Sequence, residues 1–246
     1  MLSIGTWITI PHISIVEILA DAGFDWICID MEHTAIDYGD ALNLIALIQG
    51  KGIKAYVRVG ENNARIIKRV LDAGADGIIV PSVNSFEEAK KAIEAFYYPP
   101  IGNRGVGLSR AQNYGFGFDE YKDGLENRER KLIVQIEHYK AVEDLNEILR
   151  LDLIDGAFIG PYDLSASIGL PGKFDNERVI GLINQFEATC KNFPDKWMGF
   201  HVIKPDHELL KSKIQSGYNF LAFSLDFLFL GEKVKAEMNQ IKGGME

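Results

Sequence analysis

The sequence has few of the features that mark secreted, membrane-spanning or nucleic-acid-binding proteins. It contains only 2 cysteines, Cys28 and Cys190, which stand alone without paired metal-ligand spacing. Its most apolar late run, FLAFSLDFLFLG, is interrupted by Asp226 and is shorter than the roughly 20 residues that span a bilayer. No block of Lys and Arg stands out in a chain of net charge -9, which argues against a nucleic-acid surface. The first residues also lack the basic and apolar regions of a signal peptide, so we expect a soluble, cytoplasmic protein with no membrane partner.

Several catalytic motifs are missing as well. No G-x-G-x-x-G follows the first apolar run, and GNRGVG at 102–107 has a different spacing. Neither HExxH nor CxxC is present, which argues against a structural zinc site. A Schiff-base aldolase needs a lysine that faces the site, and Lys204, three residues past His201, is the only candidate. Carbanion chemistry on this chain would therefore more naturally use a metal as electron sink.

What the chain does have is a regular alternation of short apolar runs and amphipathic stretches. The runs are mostly continuous, as in parallel strands that are covered on both faces. The helical stretches open on cap residues such as Asn62 and Asn63 and end at glycines such as Gly23 and Gly74. Eight apolar runs are present, at 4–8, 26–30, 54–59, 77–81, 132–137, 156–160, 197–202 and 219–224.

This alternation predicts an α/β fold. Eight strand–helix units with no linker favour one closed (β/α)8 barrel, a TIM barrel, as a single domain over residues 1–246. An open doubly wound sheet is the alternative.

One segment breaks the regular spacing. Residues 97–131 form a long insertion that is rich in Gly, Pro and aromatic residues. A loop of this length inside a compact domain is usually functional or part of an interface. We expect Tyr114, Phe116 and Phe118 in this insertion to pack against a neighbouring subunit.

Polar side chains cluster where the predicted strands end. In a (β/α)8 barrel, the carboxyl ends of the strands build the active site. Helix caps can explain Ser165, Ser224 and Asp226 there, whereas a charge such as Arg58 or Glu137 on an apolar strand needs a partner. The full set at these ends is Asp30, Glu32, His33, Arg58, Pro81, Ser82, Gln135, Glu137, Asp163, Ser165, His201, Ser224 and Asp226.

Two of these carboxylates, Glu137 and Asp163, follow adjacent strands and can bind one hard divalent cation. Mg²⁺ is typically held by one or two carboxylates together with waters and substrate oxygens. The alternative is a metal-free ion pair between Glu137 and Arg58.

The same residues lie in motifs that resemble those of the HpcH/HpaI aldolase family, the metal-dependent class II pyruvate aldolases. In chain order these are AGFDWICIDMEH, YVRV, GIIVPSV, YYPPIGNRGVG, VQIEHYKAVED and FIGPYDLSASIG, and together they run along nearly the whole chain. The resemblance implies a (β/α)8 barrel and a homo-oligomer, a hexamer or trimer of dimers, with its last helix exchanged between partners. It also implies cleavage of a 4-hydroxy-2-oxo acid, such as a 2-keto-3-deoxy acid, to pyruvate and an aldehyde.

The resemblance further implies roles for individual residues. A divalent cation, Mg²⁺, Mn²⁺ or Co²⁺, would bind Glu137 and Asp163. Arg58 would bind the pyruvyl oxygens, and His33, paired with Asp30, would be the base or proton relay. Glu32 is expected to be structural. Gln135 would support the metal waters or the substrate, and main-chain N–H groups around Gly160 and Tyr162 would hold the pyruvate carboxylate. His201, on the seventh predicted strand, is a further candidate substrate contact of this chain.

Some positions depart from other members of the family. DMEH and GPYD stand where others have DGEH and GPAD, which places the bulkier Tyr162 beside the expected carboxylate site. His201 replaces an aliphatic residue on the seventh strand. None of these changes removes a catalytic group, but they can alter which aldehyde fits. The alternatives are oxaloacetate decarboxylation or enolate condensation at the same site, a lyase acting on acyl-CoA thioesters, and a non-catalytic barrel.

Overall fold

Eight parallel strands close into a barrel in the computed structural model, which describes residues 2–243. The strands are β1 (Ser3–Ile8), β2 (Trp26–Asp30), β3 (Lys54–Arg58), β4 (Gly77–Val80), β5 (Lys131–Ile136), β6 (Gly156–Ile159), β7 (Trp197–Val202) and β8 (Phe220–Leu225). They pair in chain order, and β8 pairs with β1 to complete the closure. The predicted (β/α)8 barrel is therefore confirmed, and the alternative of an open doubly wound sheet is wrong.

Helices alternate with the strands around the outside of the barrel. They are α1 (Ile13–Ala20), α2 (Tyr38–Gly50), α3 (Ala64–Asp72), α4 (Phe86–Phe96), α5 (Phe118–Glu126), α6 (Tyr139–Leu149), α7 (Pro161–Ala166), α8 (Glu177–Cys190), α9 (His207–Gln215) and α10 (Asp226–Gly243). Asn63 rather than Asn62 caps α3, because its side-chain oxygen accepts a hydrogen bond from the main-chain N–H of Arg65. Gly23 and Gly74 take the predicted left-handed conformation, with φ of 89° and 101°. Within residues 2–243, every helix is too short or too polar to cross a membrane.

The insertion at 97–131 is more ordered than an irregular loop. It contains a 3-10 helix at Arg110–Gly115 and the whole of α5. A buried arginine, Arg104, ties it to α3, since its guanidinium donates to Asp72 Oδ1 at 2.6 Å and to the Tyr121 hydroxyl at 2.9 Å. Local hydrogen bonding and packing therefore hold the insertion against the barrel.

The three aromatic residues expected at a subunit contact do not behave alike. Phe118 packs inside the subunit, with its ring centroid 5.8 Å from that of Tyr98. Tyr114 and Phe116 are 69% and 91% exposed, so the expected contact stays a prediction for these two.

The barrel interior is filled by large aromatic rings that lie over glycines. A glycine on one strand pairs in register with an aromatic residue on the next strand, in the pairs Gly5–Trp26, Gly77–Tyr56, Gly156–Trp197 and Gly199–Phe158. A Cβ on any of these glycines would lie within 2.7 Å of its aromatic partner. The outward residues of the same strands join a second, larger core between the barrel and the helices. Both faces of each strand are therefore buried, which explains the continuous apolar runs.

Replacing Gly5 tests this packing of aromatic side chains against glycines on neighbouring strands. In Gly5→Ala, the added Cβ would lie 2.0 Å from the Trp26 ring, and that ring is stacked on Phe220 with centroids 4.3 Å apart. Overpacking of a core costs about 1–3 kcal/mol, and we expect a loss in the upper part of that range. Urea denaturation measures it as a fall in the free energy of unfolding.

The matched control is Gly181→Ala on the exposed surface of α8, where no atom lies within 4 Å of the added Cβ. This change should be neutral or stabilise the protein by up to about 1 kcal/mol, because alanine favours helix over glycine. Equal stability of Gly5→Ala and the wild type would contradict the proposed packing.

Candidate active site

The carboxyl ends of the strands line a cavity of about 390 Å³. All nine residues that the sequence assigned to the site lie on its wall: Asp30, His33, Arg58, Gln135, Glu137, Gly160, Tyr162, Asp163 and His201. They come from β2, β3, β5, β6 and β7 or from the segments directly after these strands. Parallel strands end on the same face of a barrel, which is why residues so distant in sequence meet here.

Arg58 is the centre of a buried charge network on this rim. β2 and β3 pair with Asp30 beside Arg58, and the guanidinium donates from Nε to Oδ1 at 3.0 Å and from Nη2 to Oδ2 at 2.7 Å. Nη1 lies 3.1 Å from Glu32 Oε2. Burial alone would lower the pKa of Arg58, but Asp30 and Glu32 raise it above its ordinary value. Among the described residues these are its ion-pair partners, so the alternative pair with Glu137 does not form.

His33 lies at the exposed side of this network, with 63% of its side chain accessible. Its main-chain N–H donates to Asp30 Oδ1 at 3.3 Å, whereas its ring Nε2 lies 3.7 Å from Glu32 Oε2. The ring is therefore nearest to Glu32, not paired with Asp30 as expected, because Asp30 is occupied by Arg58. Glu32 bridges the arginine and the histidine, and burial raises its pKa to about 7 against the opposing charge of Arg58.

Glu137 follows β5 directly and is only 7% exposed. Its Oε1 accepts from Gln135 Nε2 at 2.7 Å, and its Oε2 accepts from the Ser82 main-chain N–H at 3.0 Å. Ser82 has a φ of 53°, a left-handed conformation that is uncommon outside glycine, and that backbone presents its N–H to the carboxylate. Burial raises the pKa of Glu137, the Ser82 N–H opposes this, and the charge of Asp163 adds to the rise.

Glu137 and Asp163 fit a divalent cation. They line the same cavity and a smaller neighbouring one, and their mutual repulsion would be relieved by a bound positive charge. Gln135 Oε1 is buried without a hydrogen-bond partner, so it can accept from a metal-bound water. In residues 2–243, no group of three or more His, Cys, Asp or Glu side chains is arranged around a metal position. Two carboxylates completed by water and substrate oxygens suit Mg²⁺ better than a structural zinc.

Gly160 leads from β6 into α7 and lies against Glu137. A Cβ here would lie 2.8 Å from Glu137 Cγ, so only glycine leaves the carboxylate in place. Pro161 opens α7, where its missing N–H removes no helical hydrogen bond. Tyr162 is 56% exposed and packs edge-on against Phe174, with ring centroids 4.8 Å apart. Its side chain therefore forms an outer part of the cavity wall.

His201 lies on β7, and its ring stacks on Trp7 with centroids 5.1 Å apart and planes 8° apart. Its Nε2 is 3.0 Å from the carbonyl oxygen of Ser224. Burial lowers the pKa of His201 to about 4, Ser224 opposes this, and Arg58 adds to the lowering. The imidazole is therefore neutral near pH 7.

Sequence reasoning missed much of the apolar wall. The missed lining residues are Trp7, Thr9, Phe158, Ile159, Pro161, Ile203, Leu225 and Phe227. Trp7 and Thr9 lie at the end of the first predicted strand, so the strand-end rule applied to 4–8 would have found them. Trp7 also contacts the arginine, because the guanidinium carbon of Arg58 lies 4.3 Å from its ring centroid.

Of the three residues assigned to helix caps, Ser165 and Ser224 have other positions, whereas Asp226 begins α10 and accepts from the main-chain N–H of Phe227 at 2.8 Å. Ser165 lies inside α7, and Ser224 lies within β8 with a φ of 53°. Asp226 is the first residue of α10, and its carboxylate accepts from the main-chain N–H groups of Thr9 and Ile10, each at 2.8 Å. Asp226 thus joins the end of β8 to the end of β1, a contact that only closure of the barrel creates.

The fold and this rim define a class: a (β/α)8 barrel with paired carboxylates, a buried arginine and a histidine at the catalytic ends of its strands. The family model described as HpcH/HpaI aldolase/citrate lyase matches residues 3–230. The chain belongs to the HpcH/HpaI aldolase/citrate lyase family, and the resemblance seen in the sequence is confirmed.

Individual relatives cover nearly the whole chain. It is 36% identical to the hydroxypyruvate/pyruvate aldolase of Sagittula stellata, over 91% of this chain and 87% of that one. It is 35% identical to the 2-keto-3-deoxy-L-rhamnonate aldolase of Klebsiella pneumoniae, over 97% and 88%. Among solved structures, a family member from Burkholderia cenocepacia matches with a TM-score of 0.90 at 28% identity, over 98% of this chain and 95% of that one.

Glu32 makes the stability of the metal-free protein depend on pH. A carboxyl whose pKa is raised from 4.5 to about 7 binds its proton more tightly in the folded chain than in the unfolded one. Its contribution to the free energy of unfolding therefore falls as pH rises from 4.5 to about 7. In chelator-treated protein, the wild type should lose stability relative to Glu32→Gln across this range. Urea denaturation at a series of pH values measures the difference, and a rising difference would contradict the assignment.

Proposed function

We propose that this protein is a divalent-metal-dependent aldolase that cleaves a 4-hydroxy-2-oxo acid to pyruvate and an aldehyde. One observation carries the proposal: two carboxylates that suit a cation, a largely buried arginine and an accessible histidine line one cavity. The named aldolases among its relatives support the same reaction class. A cytoplasmic location stays a prediction.

Glu137 and Asp163 would hold the cation, which we expect to be Mg²⁺, Mn²⁺ or Co²⁺. When bound, this cation would act as a Lewis acid that polarises the keto group of the substrate. Gln135 supports this arrangement in two ways, because its Nε2 orients the Glu137 carboxylate and its Oε1 is free to accept from water.

Arg58 binds the pyruvyl part of the substrate in this proposal. A guanidinium has five N–H donors, of which Asp30 takes two and Glu32 faces a third. The remaining donors can reach the keto or carboxylate oxygens, where negative charge develops as the carbon–carbon bond breaks. Asp30 and Glu32 hold the guanidinium in one orientation. Main-chain N–H groups around Gly160 and Tyr162 would bind the substrate carboxylate.

His33 is the proposed base. Its ring removes the proton from the C4 hydroxyl of the substrate, the C3–C4 bond breaks, and the aldehyde leaves. The electron pair remains on the pyruvyl fragment, whose C3 then takes up a proton to give pyruvate. Because Glu32 lies beside the ring Nε2, it stabilises the protonated histidine that the first step produces.

The first test is pyruvate release from a panel of 4-hydroxy-2-oxo acids. Metal-stripped protein should be inactive, and Mg²⁺, Mn²⁺ or Co²⁺ should restore pyruvate formation. Glu137→Gln should weaken metal binding in calorimetry, because one anionic ligand is lost. Metal-bound, folded protein that releases no pyruvate from any member of the panel would contradict the proposal, and oxaloacetate decarboxylation would then be assayed in the same format.

Two variants separate the roles in that assay. His33→Ala should bind metal normally but cleave about 10²–10⁴-fold more slowly, the range of a general acid–base group. Arg58→Ala should lose about 2.7–4 kcal/mol of transition-state stabilisation, the range for one oxyanion donor. Unchanged cleavage in either variant would remove that residue from the mechanism.

We also propose that a second copy of the chain covers α10. This helix carries an apolar stripe, spaced as in a coiled coil, of residues that are 44% to 58% exposed: Phe227, Leu230, Val234, Met238 and Ile241. Of its described residues only Asp226 is buried in the single chain. An exchanged helix, as the family resemblance implies, would bury this stripe in a hexamer or trimer of dimers.

Charge placed in the stripe tests this assembly. The double variant Leu230→Glu, Val234→Glu should shift the protein to a smaller species in light scattering coupled to size-exclusion chromatography, because carboxylates would be buried unpaired. The control is Ala236→Glu, which lies on the opposite side of α10 and should leave the mass unchanged. A wild type that is monomeric at micromolar concentration would contradict the proposal.

A further inference from the structure

The turn after β4 holds a serine in the left-handed conformation. Ser82 has a φ of 53°, which side chains with a Cβ rarely adopt and for which glycine is the usual residue. Its neighbours are fixed on both sides. Pro81 and Val83 are buried, and the Val83 N–H donates to the main-chain oxygen of Gln135 at 3.3 Å. The surrounding structure therefore imposes the strained conformation on Ser82.

This conformation directs the Ser82 main chain to a side chain instead of a neighbouring strand. Its N–H donates to Glu137 Oε2 at 3.0 Å, while Gln135 Nε2 donates to Glu137 Oε1 at 2.7 Å. Each oxygen of the carboxylate thus accepts from a different donor, which fixes the plane of the group. Gln135 takes part on both sides, because its main-chain oxygen accepts from Val83 and its amide donates to Glu137. The turn after β4 and the end of β5 form one hydrogen-bonded unit around the carboxylate.

The main chain of Ser82 contributes more to this unit than its hydroxyl group does. The Ser82 Oγ lies 3.4 Å from Glu137 Oε2, farther than the N–H at 3.0 Å. The serine side chain is exposed and borders the smaller cavity that Glu137 and Asp163 also line. An ionised carboxylate offers about four acceptor sites, so these donors leave a site on Glu137 for a cation.

Resting on the aldolase function proposed above, we propose that Ser82 is a positioning residue, whose left-handed main chain holds Glu137 in the orientation that binds the cation. Ser82 acts through Glu137 and sets the affinity for the metal without contacting the substrate. Hydrogen bonds to a ligand from outside the coordination sphere typically change metal affinity about 10–100-fold.

The sharpest test removes the N–H alone. Cell-free synthesis can place lactic acid at position 82, which is the ester counterpart of Ser82→Ala and lacks only the main-chain N–H. Calorimetry then measures Mn²⁺ and Mg²⁺ binding to chelator-treated protein. Ser82→Ala should bind within about threefold of the wild type, because the hydroxyl contact is the longer one. The ester should bind at least about tenfold more weakly than Ser82→Ala.

Two substitutions test the backbone conformation. Ser82→Gly keeps the N–H and favours a positive φ, so it should preserve metal affinity and should not lower the midpoint of urea denaturation. Ser82→Val disfavours a positive φ and should weaken both. The matched control is Asn113→Val, since Asn113 has a φ of 49° on the exposed part of the insertion. It should lower the urea midpoint but leave metal affinity unchanged.

Kinetics at saturating Mn²⁺ separate positioning from chemistry. The ester should need at least about tenfold more Mn²⁺ for half-maximal pyruvate release. Its kcat should be within about threefold of that of Ser82→Ala, because Ser82 acts on metal binding and not on the bond-breaking step.

The outcomes distinguish this inference from the proposed function. Equal metal affinity of the ester and Ser82→Ala would overturn the inference and leave the aldolase function standing. Weakened metal binding in Asn113→Val to the level of Ser82→Val would also overturn it, because general destabilisation would then be the cause. A wild type that binds the cation but releases no pyruvate would overturn the aldolase function alone, since calorimetry needs no substrate. A wild type that binds neither cation would overturn both.

Discussion

Register between neighbouring strands is the constraint on which the rest of the molecule depends. Glycines of one strand accept the aromatic rings of the next, and Trp26, Phe220 and Trp197 stack with centroids 4.3 Å and 4.7 Å apart across the barrel interior. A shift of one residue would turn every inward ring outward and would carry the polar strand ends off the rim. The packing at one end of the barrel therefore positions Asp30 beside Arg58 at the other end.

Negative charge dominates the rim. Asp30 and Glu32 pair with Arg58, Glu137 and Asp163 line the same cavity, and burial raises the pKa values of Glu32 and Glu137. Such an arrangement is unfavourable for stability by itself, because Glu137 is buried without an ion-pair partner among the described residues. A bound cation and an anionic 2-oxo acid would compensate it together. The rim is thus a place where the fold retains strain and charge that binding can relieve, as the left-handed Ser82 also indicates.

The cavity has a polar part and an apolar part. Carboxylates, Arg58 and His33 line one part of the cavity, whereas Trp7, His201 and their apolar neighbours form a wall without a lysine or arginine among the described residues. Trp7 on β1 connects the two parts, because its ring contacts both the Arg58 guanidinium and the His201 ring.

Periodicity in the sequence was sufficient for the eight strands, whose ends were predicted to within about one residue, because each strand is buried on both faces. The strand-end rule was sufficient to bring seven site residues to one cavity, and the family resemblance added Gly160 and Tyr162. It did not predict which charges pair, and Arg58 bonds Asp30 rather than Glu137 because β2 and β3 are neighbours in register.

The local pattern of apolar and polar residues in the sequence determined the strands and helices of this protein. It also determined that the site residues lie at the carboxyl ends of the strands. Only the tertiary structure decided which side chains meet. Asp226 accepts a hydrogen bond from Thr9, and His201 bonds the carbonyl oxygen of Ser224. The Trp7 ring contacts both Arg58 and His201. The physical reason is that Asp226 bonds Thr9 across 217 residues and His201 of β7 stacks on Trp7 of β1, contacts that exist only once β8 pairs with β1 and the barrel closes.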